Sequence, residues 1–588
     1  MKKKARILAT FCIAAICGLT LVLGSCSKGK SLQNGATELP YSTGINAQGN
    51  YDSSMFFRND LFCDGADPSI IYSKEDGYYY VYVTGLQYKR TKNFVDFEEL
   101  GSPLILEDSA WSSGNYWAPE VIYDETTQKY YMYYNATAKK VATTDNGKHR
   151  IGIAVADTPK GPFRDWEGTR SIPKRDRNGK RIQENGRDVF VEETITKGTF
   201  PIDFMQSPLA HESNWENFAT IDASPFFDEN GDLYLYFVRH VDDWNASNSS
   251  WGVKMLDMVT PDYDTLKQLT EPSRKTVGGE PNFEGHNSIN EGPFMLWHTT
   301  VKPDGSTVKK YYLTYSNYGY RDRGYSVACA IADSPLGDFT KLDPEQGMPI
   351  IGCDPNFDHM SGTGHHAFFK VGDEYFVLYH AHTTRDSTIG NGGQRSIAID
   401  RICFDYSETL GYDLIYGNGP TYSLQPLPYA ITGYRNLAAT ATVTANSVAA
   451  NSSVSYLNDG RVAINSTNDF DFVSASNSVT VTVDFGKEAT VKAILIYNGR
   501  DAAYAFSKID MIRFESAEGN YYIKDLLFPE AYIGNGYMRP GGAAVAEFNE
   551  IKVNKIVIKI TDKIAKEMFP DRQDAAGISI SDITVIGK

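Results

Sequence analysis

Short apolar and aromatic runs separated by turn residues recur along the first two thirds of the chain. In the first instance, residues 66–72 precede an Asp76-Gly77 turn and the aromatic run of residues 78–83. Two such runs around an Asp-Gly turn predict a β-hairpin. The arrangement returns four more times, in the segments 118–134, 222–237, 291–315 and 365–379. A hairpin pattern that occurs five times along the chain indicates a repeat architecture.

Further β segments follow the hairpins and also resemble one another. Residues 151–163 and 327–339 match along their length, and residues 396–400 form a shorter copy. Each unit therefore holds about four strands without helical periodicity, which is typical of propeller blades. We predict an all-β fold with a five-bladed β-propeller over residues 51–432. A long sandwich or a solenoid is the alternative, but either would repeat with a shorter and more regular period.

The hairpin pattern stops at a proline-containing stretch, residues 420–428, which indicates a domain boundary. Beyond it, apolar and polar residues alternate, as in residues 478–485, 491–497 and 555–560. Period-two strands at short spacing predict a β-sandwich over residues 433–588.

The N-terminus has the pattern of a secretion signal. A basic start is followed by an apolar run over residues 7–23, and Leu23-Gly24-Ser25-Cys26 resembles the bacterial lipobox. We expect residues 1–25 to be removed, Cys26 to carry lipid, and the polar residues 26–50 to form a flexible tether. A transmembrane anchor is the alternative, although the apolar run is short for a span.

This N-terminus predicts a lipoprotein anchored at the bacterial outer membrane, on its periplasmic or cell-surface face. Residues 27–30 lack an acidic run, which favours the periplasmic face. The formal charge of −16 becomes −20 when the four basic residues of the signal are removed. This negative charge on the mature protein disfavours nucleic acid as a partner and fits a neutral substrate or a solvated exterior.

The tyrosine and cysteine contents bear on sugar binding, on disulfide bonds and on metal binding. The 38 tyrosines suit sugar binding, but they equally suit the packing of β-sheets. Outside the signal the cysteines are Cys63, Cys329, Cys353 and Cys403. Four cysteines scattered over so long a chain form neither a disulfide framework nor a metal-ligand pattern.

Carboxylates stand in register across the repeat. When the copies are aligned on the residue that closes the first strand, the position five residues upstream is acidic in three of them: Asp67, Asp222 and Glu291. Strand alternation predicts that Glu120 points the same way from the second copy. Turn formation explains one such aspartate, but three acids brought together cost stability. We therefore expect them to converge on one functional pocket.

Paired carboxylates in a pocket are what glycoside hydrolysis requires. One protonates the leaving oxygen, and the other activates water or attacks the sugar. A third charge nearby raises the pKa of the acid, so that it stays protonated near neutral pH. A divalent cation site is the competing interpretation, because clustered carboxylates also bind hard metals.

Five motifs follow one another at blade spacing in residues 55–430. They are Gly65-Ala66-Asp67-Pro68, Trp117-Ala118-Pro119-Glu120, Ile221-Asp222-Ala223-Ser224, Asn290-Glu291-Gly292-Pro293 and Gly362-Thr363-Gly364-His365. Together they resemble the motifs of family 43 glycoside hydrolases, five-bladed propeller enzymes that cleave arabinose- or xylose-containing glycans with inversion. The resemblance implies that Asp67 is the general base, that Asp222 tunes and orients the acid, and that Glu291 is the general acid.

The resemblance also suggests substrate contacts. Arg395 resembles an arginine that contacts the innermost sugar, with a surface ion pair as the alternative. Trp117 could stack on a sugar or fill a blade interface. Glu120 stands where many members have Asp, so we expect it to line the pocket without an assigned role.

A histidine after Gly-x-Gly is often near an axial metal in this family, frequently calcium. The motif selects His365, strict strand alternation selects His366, and a buried structural histidine is the alternative. No cofactor is required for the chemistry.

The C-terminal region resembles a discoidin-like (coagulation factor 5/8 type C) jelly-roll module. The resemblance rests on Leu457-Asn458-Asp459-Gly460 and on the closing residues 578–587. Such modules often bind carbohydrate when attached to hydrolases, and a purely structural sandwich is the alternative. Tyr532, Tyr537 and Arg539 are candidate contacts without an assigned role.

These observations predict a monomeric, inverting exo-glycosidase that removes terminal pentosyl residues from plant cell-wall polysaccharides, first of all an α-L-arabinofuranosidase. A β-xylosidase, an endo-arabinanase and a galactan-acting hydrolase stay open, and a non-catalytic glycan-binding lipoprotein is the rival from another class. Inversion requires the two carboxyl groups to be roughly 6.5–9.5 Å apart. The insert of residues 169–199 either walls off one end of the cleft or is a mobile hairpin.

Overall fold

The structure is a computed structural model. Cys26 with the predicted signal, Cys353, and the candidate loop residues Tyr532, Tyr537 and Arg539 lie outside the residues that it describes. Those residues are 35–44, 52–59, 63–107, 110–139, 148–204, 207–209, 219–240, 248–272, 276–277, 280–281, 289–352, 360–382, 395–421, 423–462, 471–527, 542–561 and 576–588.

Five antiparallel sheets, here called blades 1 to 5, are formed by consecutive segments of the chain. Blade 1 holds Ser69–Tyr72, Tyr79–Val83, Gln87–Thr91 and Glu98–Gly101, and blade 2 holds Trp117–Asp124, Lys129–Thr137, His149–Ala156 and Arg164–Asp165. Blade 3 holds Ala219–Phe227, Leu233–His240, Ser249–Asp257, Thr260–Pro261 and Lys267–Gln268. Blade 4 holds Asn290–Val301, Thr307–Asn317, Ser326–Ala332 and Thr340–Lys341, and blade 5 holds Ser361–Val371, Glu374–His382, Arg395–Ser407 and Tyr412–Gly417.

The first strand of each blade contacts the first strands of the two neighbouring blades, so the five inner strands form a closed ring. Hydrogen bonds between residues 63–65 and 395–397 close the ring between blades 5 and 1. Phe56–Phe57 pairs with Gln425–Pro426 at the same junction. The predicted all-β fold with a five-bladed propeller is confirmed.

Tyrosines of the second strands fill the interfaces between blades. Each of four fully buried rings donates its hydroxyl to a backbone carbonyl in the outer part of the next blade. The pairs are Tyr82 with Pro159, Tyr133 with Met258, Tyr236 with Pro335 and Tyr312 with Asp413. Much of the tyrosine content therefore serves sheet packing rather than sugar binding.

The chain after the propeller forms a nine-stranded sheet around its own apolar core. Its longest strands, Val479–Asn498 and Ala543–Ile560, are antiparallel, with register shifts that interrupt the pairing. The other strands are Thr37–Glu38, Arg435–Asn436, Thr442–Ala445, Phe472–Val473, Lys508–Glu515, Tyr521–Leu527 and Ser579–Gly587. The discoidin-like type of this domain stays a prediction.

Part of the predicted tether belongs to this C-terminal sheet. Thr37–Glu38 pairs in parallel with Tyr521–Leu527, and Ser42 forms a bridge with Glu547. Ala36 and Leu39 are buried. The expectation of a flexible tether is therefore wrong for residues 36–42, because they supply an edge strand and apolar side chains to a folded sheet.

The two domains share an apolar interface. Phe56 and Leu424, beside the closing strands of the propeller, pack with Leu495, Val545 and Ile586 of the C-terminal sheet. An ion pair at 3.0 Å between Arg461 and Asp405 of blade 5 crosses the same boundary. The C-terminal sheet therefore rests on the point where the propeller closes.

The insert of residues 169–199 is a hairpin fixed to blade 3. Its paired strands are Gly168–Pro173 with Phe190–Ile195 and Gln183–Glu184 with Arg187–Asp188. Arg175 forms an ion pair at 2.6 Å with Asp264, in the 3-10 turn Tyr263–Thr265. Arg181 pairs with Asp262 and Asp264.

The remaining elements are short. Thr276–Val277 pairs with Glu280–Pro281. The helix Tyr429–Thr432 and the 3-10 turns Pro344–Gln346, Ala438–Thr440, Val454–Leu457 and Ala502–Tyr504 connect strands. No helix among the described residues is long and apolar enough to cross a membrane.

We expect Phe56→Ala to lower the free energy of unfolding by about 3–5 kcal/mol, because it empties the apolar interface at the closing strands. The Phe56 side chain is 0% exposed, whereas Phe190 on the insert hairpin is 51% exposed. Phe190→Ala is therefore the matched control and changes stability little. Denaturant unfolding of both variants measures the difference, and equal losses would contradict this role of the interface.

Candidate active site

A pocket of about 350 Å³ opens at the end of the propeller where the inner strands begin. It brings together Asp67, Asp222, Glu291, Trp117 and Arg395, which the sequence placed at one site. The full lining is Asp67, Thr84, Trp117, Ile221, Asp222, His240, Glu291, Tyr320, His365 and Arg395.

One residue at the start of each inner strand has a left-handed backbone, and we call this set the bulge residues. In blades 2 to 5 the register with the second strand shifts around it, as in a β-bulge. Four of the five are not glycine, so the surrounding structure must offset a strain of about 1–3 kcal/mol at each. The bulge residues are Asp67 (φ 51°), Ala118 (43°), Asp222 (56°), Gly292 (53°) and His365 (44°).

The backbone N–H of each bulge residue is hydrogen-bonded to a side chain of the preceding blade. In four cases the backbone N–H of the bulge residue donates to a polar side chain at the end of the preceding blade's second strand. The pairs are Ala118 to Thr84 (3.0 Å), Asp222 to Asn135 (3.0 Å), His365 to Ser316 (2.8 Å) and Asp67 to His380 (3.2 Å). The last pair joins blade 5 to blade 1, so the hydrogen bonds follow the whole ring.

In blade 3 the acceptor for the next bulge residue's N–H is a carboxylate. Its residue at the corresponding position is Val238, which pairs with Ile221 and has no polar side-chain atom. The N–H of Gly292 instead donates to Oδ2 of Asp222 at 3.0 Å. Asp222 is therefore both a bulge residue and the acceptor for the next one.

Asp67 is surrounded by hydrogen-bond donors and cations. Thr84 donates to Oδ2 at 2.5 Å, Arg395 Nη1 lies 2.9 Å from Oδ1, and Nδ1 of both His365 and His380 is 3.4 Å from Oδ1. Burial alone would raise the pKa of Asp67, but Arg395, His365 and the hydroxyl of Thr84 hold that pKa well below its usual range. His380 is not counted among the cations, because burial lowers its pKa well below the usual range and its Nδ1 accepts the N–H of Asp67. Asp67 is therefore ionised at neutral pH and able to accept a proton.

Glu291 has the opposite electrostatic environment. Burial, and then the negative charge of Asp222, raise the pKa of Glu291 to about 8, although the hydroxyl of Tyr325 donates to its Oε1 at 3.0 Å. Burial also raises the pKa of Asp222, with His365 acting in the other direction. Glu291 is therefore protonated at neutral pH and able to donate a proton.

The structure corrects the register predicted for Glu291. Its partner across the sheet is Ser316, so it lies one residue before the bulge and corresponds to Trp117 in blade 2. Gly292, rather than Glu291, occupies the position of Asp67 and Asp222. The apolar run that follows Glu291 has no period-two alternation to fix the register, and the inner strand of blade 4 runs on to Val301.

Two predicted substrate contacts line the pocket. Arg395 faces it while bound to Asp67, and its guanidinium lies 5.0 Å from the ring centre of Tyr320. Trp117 is 37% exposed at the rim and stacks on His149, with ring centres 3.9 Å apart.

Glu120 does not line this pocket. It lies two residues beyond the bulge in blade 2, where its side chain hydrogen-bonds to Ser224 of blade 3. Burial raises the pKa of Glu120 to about 8. The prediction failed because the bulge shifts the side-chain alternation of an unbroken strand.

The bulge also decides between the two adjacent histidines. His365 faces the pocket and Asp67, whereas His366 is buried with its Nε2 2.7 Å from Oγ1 of Thr314. Among the described residues, no group of three or more His, Cys, Asp or Glu is arranged to hold a metal ion. The expected calcium stays a prediction from the resemblance.

Sequence reasoning missed the residues that support the carboxylates. Thr84, Asn135, Ser316 and His380 each end or directly follow the aromatic run of a second strand. A polar residue at this point in four of five repeats was the available signal. Its meaning depends on which N–H group it faces in the next blade.

Two curated relatives match about half of the chain. An extracellular endo-alpha-(1->5)-L-arabinanase 2 of Bacillus subtilis (strain 168) is 27% identical over 301 residues, 48% of this chain and 51% of that protein. An arabinoxylan arabinofuranohydrolase of Paenibacillus polymyxa is 24% identical over 301 residues, 50% of this chain and 36% of that protein. The chain thus spans about half of the first relative and about a third of the second.

Two solved structures are similar to about three fifths of this chain. A thermostable family-43 glycoside hydrolase is 26% identical with a TM-score of 0.44, over 62% of this chain and 96% of that one. An alpha-L-arabinofuranosidase from Lactobacillus brevis is 19% identical with a TM-score of 0.41, over 63% and 98%.

The model of the glycosyl hydrolases family 43 matches residues 61–177 and 199–410, more than half of the chain. The gap between the two matched segments lies in the insert hairpin. The matched segments contain blades 1 to 4 and the first three strands of blade 5, with Asp67, Asp222 and Glu291. The protein therefore belongs to glycosyl hydrolase family 43.

Proposed function

We propose that this protein hydrolyses glycosidic bonds with inversion, with Glu291 as general acid and Asp67 as general base. The observation that carries the proposal is that one pocket holds two carboxyl groups whose pKa values are displaced in opposite directions. Such a pair supplies a proton donor and a proton acceptor at the same pH.

The reaction follows from these two protonation states. Glu291 gives its proton to the glycosidic oxygen as the bond from that oxygen to the sugar carbon breaks. Asp67 takes a proton from a water molecule, whose oxygen forms the new bond from the opposite face. Asp222 raises the pKa of the acid by its charge, and its hydrogen bond from Gly292 fixes the backbone beside Glu291.

The proposed substrate is a terminal pentosyl group of a plant polysaccharide, first of all α-L-arabinofuranosyl. A volume of about 350 Å³ is near the lower end of ligand pockets, which favours one sugar over a long chain. Arg395 and Trp117 line this pocket and are the proposed contacts to that sugar. The similarity to an arabinanase and to an arabinofuranohydrolase supports arabinose as the sugar.

A glycan-binding protein without activity is the rival proposal. A binding site gains nothing from a carboxyl group kept protonated beside one kept ionised, and bringing like charges together costs stability. The opposite displacement of Asp67 and Glu291 favours the enzyme.

We propose that the protein is a monomer in the cell and that lipid on Cys26 anchors it to the outer membrane. The anchor is supported by the sequence alone, because a basic start and an apolar run end at Cys26. Incorporation of labelled fatty acid, lost in Cys26→Ser, tests the anchor.

We expect Asp67→Asn and Glu291→Gln each to lower kcat by about 10²–10⁴-fold, because each removes one proton-transfer group. The fold stays intact, since the replacements are isosteric. Hydrolysis of aryl pentosides and circular dichroism measure the two effects. Glu120→Gln alters a buried carboxyl group outside the pocket and keeps activity near wild type. Full activity in either pocket variant would contradict the assignment.

The pH dependence of kcat/KM reports the two groups. Glu291 must be protonated and Asp67 ionised, so kcat/KM stays high through neutral pH and falls above about pH 8. Asp222→Asn removes a negative charge beside Glu291 and should move the basic limb down by about one pH unit. The Asn oxygen can still accept from Gly292. A basic limb that stays in place or moves up would show that Asp222 does not tune the acid.

A substrate panel tests the specificity and the stereochemistry. We expect aryl α-L-arabinofuranosides to be cleaved faster than β-D-xylosides, and side-chain arabinose to be released from arabinan or arabinoxylan. Proton NMR during the first turnovers should show the anomer of inverted configuration. Release of the retained anomer would exclude the water-activating role of Asp67.

A further inference from the structure

Tyr325 connects the proposed acid to a buried scaffold. Its ring is 1% exposed, and its hydroxyl donates to Oε1 of Glu291 at 3.0 Å. It does not line the pocket, so it acts on the reaction only through Glu291. No sequence motif named above includes Tyr325.

The position of the Tyr325 ring is tightly determined. It stacks on His380, with ring centres 5.4 Å apart and planes 13° apart. His380 in turn accepts the backbone N–H of Asp67. A Cβ atom on Gly364 would lie 2.4 Å from the Tyr325 ring, so this glycine makes room for it. One stack of two rings therefore links the acid to the backbone of the base.

A chain of hydrogen bonds fixes which way the Tyr325 hydroxyl points. The N–H of His365 can only donate, and Oγ of Ser316 accepts it at 2.8 Å. The Ser316 proton is then free for the oxygen of Tyr325, with which Ser316 also hydrogen-bonds. The proton of Tyr325 is directed to Glu291, and successive bonds of this kind strengthen one another.

We propose that Tyr325 is a positioning residue for the general acid, holding Oε1 of Glu291 so that Oε2 carries the proton given to the leaving oxygen. This inference rests on the proposed function. As the proton leaves Oε2, Glu291 becomes a carboxylate, and the bond from Tyr325 becomes charge-assisted. Hydrogen bonds to charged groups are stronger than neutral ones, so Tyr325 stabilises the transition state more than the ground state.

The effect depends on how much the leaving group needs a proton. The other charged groups acting on Glu291 are Asp222, Asp67 and Arg395, and a Tyr325→Phe change leaves all three in place. A weakly basic leaving group departs without full protonation, whereas a strongly basic one requires the acid. Loss of the hydroxyl should therefore slow only the second kind of substrate.

The test compares two aryl pentosides that the wild type cleaves, one with a methoxyphenyl and one with a dinitrophenyl leaving group. We expect Tyr325→Phe to lower kcat about tenfold on the methoxyphenyl substrate, with KM unchanged. On the dinitrophenyl substrate it should stay within about twofold of wild type. Equal loss on both substrates, or no loss on either, overturns the proposal.

Two further variants separate the positioning role of Tyr325 from the general effect of losing a buried hydroxyl and from a failure of the proposed function. Tyr236→Phe removes an equally buried hydroxyl that donates to the backbone carbonyl of Pro335 at 3.0 Å instead of to a carboxyl group, and should leave both rates unchanged. On the methoxyphenyl substrate, Glu291→Gln reports on the acid itself. If it keeps wild-type activity on that substrate, the proposed function fails, whereas a normal Tyr325→Phe beside an inactive Glu291→Gln rejects the positioning role alone. If Tyr325→Phe does not fold, Ser316→Cys weakens the donor that orients Tyr325 while keeping an acceptor for the N–H of His365, and it is measured on the same two substrates.

Discussion

Five backbone N–H groups at the bulges of the inner strands constrain the rest of this propeller. Each lies at the rim of the axis, where a buried donor without an acceptor costs free energy. Each is satisfied from the preceding blade, by Thr84, Asn135, Asp222, Ser316 and His380 in turn. The same hydrogen bonds hold the left-handed backbone that turns Asp67, Asp222 and His365 into the pocket.

The catalytic chemistry uses the same bonds that build the ring. Blade 3 offers Val238 where other blades offer a polar group, and the Asp222 carboxylate takes its place. That places a buried charge beside Glu291 and raises the pKa of the acid. His380 likewise accepts the N–H of Asp67 while its ring supports Tyr325. Acid and base are therefore positioned by one network, in which the structural and electrostatic roles of a residue are not separable.

The closure of the ring also explains the place of the C-terminal sheet. Residues 63–65 and Phe56–Phe57 complete the junction of blades 5 and 1. Phe56 then packs directly against the C-terminal sheet. At the same junction Asp400 is fully buried, accepts the hydroxyl of Tyr379, and has its pKa raised well above its usual range by burial. The junction is thus stabilised from both domains.

The sequence by itself determined the repeat, the β class and the membership of Asp67, Asp222, Glu291, Trp117 and Arg395 in one site, because blade spacing and motif order are local properties of the chain. Tertiary structure decided the rest. A β-bulge changes side-chain direction without changing the apolar pattern of the strand. The bulges therefore placed Glu291 one residue before the bulge position, kept Glu120 out of the pocket and turned His365 rather than His366 into it. The supporting residues Thr84, His380 and Tyr325 act across blades, and contacts between distant segments leave no local pattern in a single sequence.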